Sequence, residues 1–305
     1  MPTYRNGNYF VTILSDGTKI RRTNDDEFIP TFAENCDVKI TDKCTIGCPF
    51  CYEGCTATGK HGDLFKYKNM LDSLHPYTEL ALNGNDMDHP DLDKFLEYLK
   101  ERKIYANITV SVKQFITNID KLRYYTDNKL VYGVGISWNA DYVYKLSTEE
   151  IDELIKNIQS FPNAVIHTIN GIFSQLDREL LRNKDLKVLV LGYKNLQRGV
   201  SYFSKHESDV RLKMACLKND MKKIIDEGWF KVISFDNLAL AQLDIKQHLS
   251  DDEWDEFYMG DDGGYTFYID LVKGEFAKNS ISNDRYPIGD KTIDEMFMYI
   301  KEHTK

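Results

Sequence analysis

The chain has 305 residues, and 39 Lys and Arg against 48 Asp and Glu leave a formal net charge of −9. That balance argues against nucleic acid as a partner, because affinity for phosphate backbones is built from clustered Lys and Arg. A hydrophobic fraction of 42% with 29% charged residues suits a globular core without staples, and it excludes collagen-like, low-complexity and disulfide-scaffold classes. The N-terminal residues lack the charged start and apolar run of a signal peptide, and no window reaches the ~18 apolar residues of a membrane span. A cytoplasmic protein without a membrane partner is therefore expected.

Residues 8–22 alternate apolar and polar on both sides of Asp16-Gly17, which predicts a β-hairpin. From Cys36 onward, β-branched runs at 38–41, 79–82, 107–112, 131–137, 164–168 and 187–191 predict six strands. Helical patterns at 63–74, 90–102, 115–125, 148–160 and 174–183 lie between them. Strands alternating with helices predict βαβ units and a parallel sheet covered by helices, so the fold class is α/β. Right-handed crossovers leave two architectures open, a doubly wound sheet or an arc of a barrel. A helix at 207–227, a strand at 232–235, a strand pair at 265–272 and 275–277, and a helix from Thr292 follow. The expected organisation is a hairpin at 1–34, a core at 35–205 and a C-terminal α+β extension at 206–305 that covers the core.

Five of the six cysteines, Cys36, Cys44, Cys48, Cys51 and Cys55, fall within twenty residues. In an intracellular chain they read as metal ligands, reactive thiols or core residues rather than disulfides. Cys44, Cys48 and Cys51 stand four and three residues apart, with Gly47 and Pro49 supplying turn chemistry, so their thiolates can converge on one metal centre. A tetrahedral zinc site with Cys55 as fourth ligand competes with that reading, as does a four-cysteine iron–sulfur cluster, although ferredoxin-like runs space their cysteines differently. Cys36 and Cys216 read as core.

The run Cys44-Thr-Ile-Gly-Cys48-Pro-Phe50-Cys51 resembles the Cys-x3-Cys-x2-Cys motif of the radical S-adenosylmethionine (radical SAM) superfamily, including the aromatic residue before the last cysteine and the place after the first strand of a βα series. The resemblance implies a partial (β/α)6 TIM-like barrel and a [4Fe–4S] cluster held by Cys44, Cys48 and Cys51, with one iron left open for SAM. It implies reductive cleavage of SAM to a 5′-deoxyadenosyl radical that abstracts hydrogen from a peptide or small-molecule substrate. It also implies an electron donor such as flavodoxin or ferredoxin. Cys55 would not bind such a cluster.

Further positions carry over less specifically. Gly84-Asn85-Asp86, ahead of His89-Pro90-Asp91-Leu92, stands where the family has Gly-Gly-Glu-Pro, so Asn85 or Asp86 would receive the methionine ammonium. Ser111 and Lys113 would lie near the SAM carboxylate and ribose. Ser137, in a run similar to Ser-Leu-Asp-Gly, would lie near the ribose, and His167, Asn170 and Leu191 would frame the adenine, with Phe50 beside the cofactor. Residues 267–290 resemble a SPASM extension, but no cysteine follows Cys216, so an auxiliary cluster there is excluded. Two alternatives remain: a zinc-stabilised binding module, and a degenerate SAM-binding member without turnover, motivated by the altered Gly-Gly-Glu segment. No catalytic acid or base is named; Tyr52 and Cys55 are candidates by proximity alone.

Overall fold

The computed structural model describes residues 1–15, 17–83 and 86–303, with Asp86 described by its backbone alone. Alternation in the first residues produces β1 (Thr3–Asn6), β2 (Tyr9–Ile13) and β3 (Lys19–Arg22), an antiparallel sheet in which β2 is central. The expected hairpin is β2 with β3; β1 is additional, and Asp16 of the turn lies outside the described residues. Tyr9, Val11 and Ile13 share one face and are buried against Tyr77, Tyr105 and Tyr265. Those tyrosines stand at or just before the N-terminal ends of main-sheet strands, so the small sheet caps that end.

The main sheet contains β4 (Asn35–Lys39), β5 (Glu79–Asn83), β6 (Tyr105–Ser111), β7 (Gly133–Ser137), β8 (Ala164–Ile169), β9 (Lys187–Leu191), β10 (Val232–Phe235), β11 (Thr266–Asp270), β12 (Glu275–Ala277) and β13 (Tyr286–Pro287). Its order is β10-β9-β8-β7-β6-β5-β4-β11-β12-β13, and every pair from β4 to β10 is parallel. β11 joins β4 in parallel, whereas β12 and β13 are antiparallel. Among the described residues β10 and β13 are unpaired edges and the sheet is not closed. Spatial order follows chain order from β4 to β10 without reversal, and right-handed crossovers then put the intervening helices on one face.

All six expected core strands form, with β4 beginning three residues earlier than anticipated. The expected helix at 63–74 shortens to Lys68–Asp72, because the Asp63 carboxylate accepts the Phe65 amide and holds a turn there. The helix expected at 115–125 is two, Val112–Thr117 and Ile119–Asp127, broken at Asn118. The long helix starts earlier, at Arg198, and runs to Asp226 with a kink at His206. Strands from the last hundred residues extend the sheet at both edges.

The two faces of the sheet differ in chemistry. Val38, Leu82, Ile108, Val110, Ile136, Ile166, Val188 and Val190 are buried under helices such as Leu92–Glu101, which contributes Phe95, Leu96 and Leu99. Each such side chain contributes about 1.5–3 kcal/mol by leaving water. The alternate positions of the same strands are largely polar, and they enclose the cavity described next.

Candidate functional site

Period-2 alternation carries Asp37, Glu79, Ala81, Asn83, Asn107, Thr109, Ser111, Gly133, Gly135, Ser137, Val165 and His167 to the wall of a cavity of about 560 Å³. Two glycines make room in it. A Cβ at Gly135 would collide with the His167 imidazole, and one at Gly133 would stand 2.8 Å from Asn107 Oδ1. Burial lowers the His167 pKa to about 4, so the imidazole is neutral at physiological pH. At the N-terminal end of the strands Lys19 pairs with Glu79 at 3.1 Å, which seals the floor with the small sheet.

The cysteine loop leaves the C-terminal end of β4. Its stem is held by backbone bonds from Asp42 to Lys60 and from Gly62 to Ile40, each 2.8 Å, and the Cys44 amide donates to Thr56 O at 2.8 Å. Gly59 is required where the stem crosses itself, since a Cβ would strike the Asp42 carbonyl. Gly47, one of the two expected turn residues, takes a positive φ of 71°, and Gly54 turns the loop again with a φ of 69°. Arg198 pins it from the long helix, donating through Nε to Cys48 O at 3.0 Å and through Nη1 to Cys55 O at 2.7 Å.

Cys44, Cys48 and Cys51 are half-buried on the cavity wall. Burial, reinforced by the charges of Cys51 and Cys44, pushes the Cys48 thiol up to about 11, so the three sulfurs are close enough to repel as thiolates. The neighbouring Cys55 lowers the Cys51 thiol to about 6 against the effect of burial, with Arg198 assisting, while the Cys55 thiol points to the Thr41 carbonyl at 4.0 Å. Asn139 Nδ2 lies 3.6 Å from Cys48 Sγ, while Asn139 Oδ1 is buried without a partner. Among the described residues no three His, Cys, Asp or Glu side chains are gathered tightly enough for a single metal ion. Three thiols spread around one end of a cavity suit a polynuclear group better, since each then binds a different metal atom.

Lys39, with 3% of its side chain exposed, reaches Asp42 at 2.6 Å, Glu53 at 2.6 Å and Asp270 at 3.8 Å. Burial opposes its charge, but those three carboxylates outweigh burial and its pKa is raised. One cation therefore joins the first strand, the cysteine loop and β11. On the opposite side, Lys194 Nζ lies 4.2 Å above the Tyr52 ring and donates to Ser280 Oγ at 3.0 Å, and the Tyr52 hydroxyl accepts from Asn83 Nδ2 at 3.2 Å.

Asp37 lines the cavity with its side chain open to the cavity space. Burial, reinforced by Glu79, Asp262 and Asp236 and opposed by Lys194, pushes its carboxyl from 3.8 up to about 6. The native state holds this proton more tightly than the unfolded chain does. Its contribution is therefore favourable below pH 3.8, is lost as pH rises through about 6, and is a cost at pH 8. Asp37→Asn is expected to raise stability at pH 8 by about 1 kcal/mol, after discounting about 1.4 kcal/mol per pKa unit for water in the cavity. The gain should vanish at pH 4; urea unfolding at both values checks it, and an equal gain at both would contradict it.

Of the other expected cofactor residues, Phe50, Ser111, Ser137, His167 and Leu191 line the cavity with the three cysteines. Phe50 packs edge-on against Tyr202 at 5.6 Å, and the Ser111 hydroxyl caps the helix that follows it, accepting from Gln114 N at 3.2 Å. Two stand apart from the wall: Lys113 is exposed on that helix, and Asn170 is buried with Nδ2 on Gln242 Oε1 at 3.0 Å. Gly84 and Asn85 lie outside the described residues, and Asp86 opens a short 3-10 helix. Sequence reasoning passed over Asp37, Lys39, Lys194 and Arg198. The signal for the first two was a charge at every second position of an apolar strand; for the last two, distant in sequence on a loop and at the start of the long helix, there was none. No family model matches the chain, and no curated protein matches it.

Proposed function

We propose that this protein is a radical SAM enzyme acting by hydrogen abstraction on a peptide or small-molecule substrate. In this reading residues 35–205 form a partial (β/α)6 barrel, with 1–34 and 206–305 closing its ends. The single observation that carries the reading is that Cys44, Cys48 and Cys51, on the loop after β4, share the wall of one cavity with consecutive parallel strands. The unreversed strand order supports a barrel arc over a doubly wound sheet. No described helix is long and apolar enough to cross a membrane. We infer a cytoplasmic setting with flavodoxin or ferredoxin as electron donor.

Cys44, Cys48 and Cys51 would hold three irons of a [4Fe–4S] cluster. When bound, the cluster and SAM supply one-electron cleavage of a carbon–sulfur bond and a carbon radical that takes a substrate hydrogen. The chain's own groups orient and enclose. The Asn139 amide points N–H toward the Cys48 sulfur, and Arg198 fixes the loop backbone while adding positive charge beside the thiolates. His167 stays neutral, so it offers a ring nitrogen to a bound ligand without a charge. Ser137 and Leu191 complete the wall beside it, and the β1–β3 sheet shuts the far end to water.

The closeness of Cys55 to Cys51 on the cavity wall favours a second reading, a four-cysteine zinc module. Cys55→Ser separates the two. In the radical SAM reading the variant, reconstituted anaerobically with iron and sulfide, keeps its iron and releases 5′-deoxyadenosine from SAM and dithionite within about threefold of wild type. In the zinc reading it loses metal and fold together, because binding energy of a structural zinc is folding energy.

A further inference from the structure

The cavity wall carries five carboxylates, and four have partners among the described residues. Glu53 pairs with Lys39, and Glu79 with Lys19 and Asn107. Asp177 accepts from Trp138 Nε1 at 3.0 Å, and Asp236 from the Gly192 and Ala239 amides at 2.8 Å. Asp37 makes no hydrogen bond or ion pair with any described residue, and its carboxylate projects into the open space. A carboxylate that faces an open cavity without a protein partner is free to pair with a cation of a ligand.

Sheet register shows what surrounds it. Asp37 is opposite Ala81, Ala81 is opposite Asn107, and Asn107 is opposite Gly133. Neighbouring strands are about 4.8 Å apart, so Asp37 and Asn107 flank an alcove about 10 Å across whose floor is the alanine. Asn107 Nδ2 is committed to Glu79, which fixes the amide's orientation and leaves its buried Oδ1 without a donor. Asn35 Oδ1, two residues before Asp37 on the same strand face, is likewise buried and unpartnered. The alcove thus has acceptors in excess. Lys194 is the one Lys or Arg side chain among the described wall residues, and its ammonium is directed to Ser280 and Tyr52. Glu79, Asp236 and Asp262 add negative charge around Asp37, against the single positive charge of Lys194.

We propose that this alcove binds a cationic amine of the substrate, with Asp37 as its counter-ion and the Asn35 and Asn107 amides as further acceptors. The inference rests on the reading of the cavity as the substrate chamber and extends it to the substrate's chemistry: a primary amine or guanidinium that enters beneath the cysteine loop. An N–H-rich cation satisfies the orphaned oxygens and the carboxylate together, whereas a neutral or anionic group leaves the Asp37 charge without a counter-ion and the two amide oxygens without donors.

The test is ligand-observed NMR on the full chain with n-pentylamine and its neutral counterpart n-pentanol at pH 8. The amine should bind at least tenfold more tightly than the alcohol, and Asp37→Asn should reduce that preference below twofold while leaving the urea unfolding midpoint unlowered. Asp37→Glu, which keeps the charge, should retain a preference. Equal binding of the two probes to wild type, absence of binding by both, or a preference that survives in Asp37→Asn would overturn the proposal. SAM cleavage is assayed separately on the reconstituted protein. A cluster that assembles without amine preference sinks this inference alone, and amine preference without iron incorporation sinks the radical SAM reading alone.

Discussion

Cys48→Ala is expected to eliminate both iron incorporation and 5′-deoxyadenosine release, bringing each to background. Its sulfur is central among the three: it faces Cys44 and Cys51, both of which raise its pKa, and it receives the Asn139 amide. Two remaining thiolates cannot hold three irons, and no His, Asp or Glu among the described residues joins them in a metal-binding group. The fold should survive, because Cys48 is half-buried in a loop whose stem is held by backbone hydrogen bonds and by Arg198 through carbonyl oxygens. Circular dichroism and the urea midpoint should therefore stay near wild type while iron, sulfide and activity disappear. A variant that still cleaves SAM would remove Cys48 from the proposed ligand set.

Lys39→Met has the largest expected effect on stability, a loss of about 3–5 kcal/mol, the usual cost of removing one partner from a buried ionic network. Here the cost falls on Glu53, Asp42 and Asp270, which would confront one another without their shared cation. Because Glu53 and Asp42 bracket the cysteine loop and Asp270 belongs to β11, the variant should also loosen the loop, with slower iron uptake than wild type. Glu53→Gln in the Lys39→Met background should recover part of the loss, since it deletes one of the stranded charges. Chemical denaturation of the single and double variants checks both points. A loss below about 1 kcal/mol in the single variant would show that water reaches the lysine.

The strands of the core were legible because β-branched runs bounded by Gly, Asn and Asp carry the same signal in isolation as in the sheet. The meaning of their alternation was harder to see. Strands of a parallel sheet covered on both faces read as continuous apolar runs, yet Glu79-Leu-Ala-Leu-Asn83, Asn107-Ile-Thr-Val-Ser111 and Gly133-Val-Gly-Ile-Ser137 alternate strictly. That pattern marks one face as the wall of a chamber, and the same alternation places Asp37 on the wall and Lys39 on that strand face beneath the cysteine loop. The cysteine loop was legible from spacing alone. Lys194, Arg198 and Ser280 were not, because their relation to the loop is created by the crossovers that bring residues 194–198 and 280 over a segment near residue 50. The break at Asn118 and the start of the long helix at Arg198 were missed for a related reason, since tertiary packing decides both and local propensity does not.

The central claim is that Cys44, Cys48 and Cys51 hold a cluster with one iron open to SAM. The most direct measurement is metal and sulfide analysis of the anaerobically reconstituted chain, paired with electron paramagnetic resonance of the dithionite-reduced protein before and after SAM is added. The account predicts about four iron and four sulfide per chain and a signal that changes when SAM arrives, because one iron lacks a protein ligand. Stoichiometric zinc without sulfide, or a cluster whose signal is indifferent to SAM, would contradict it.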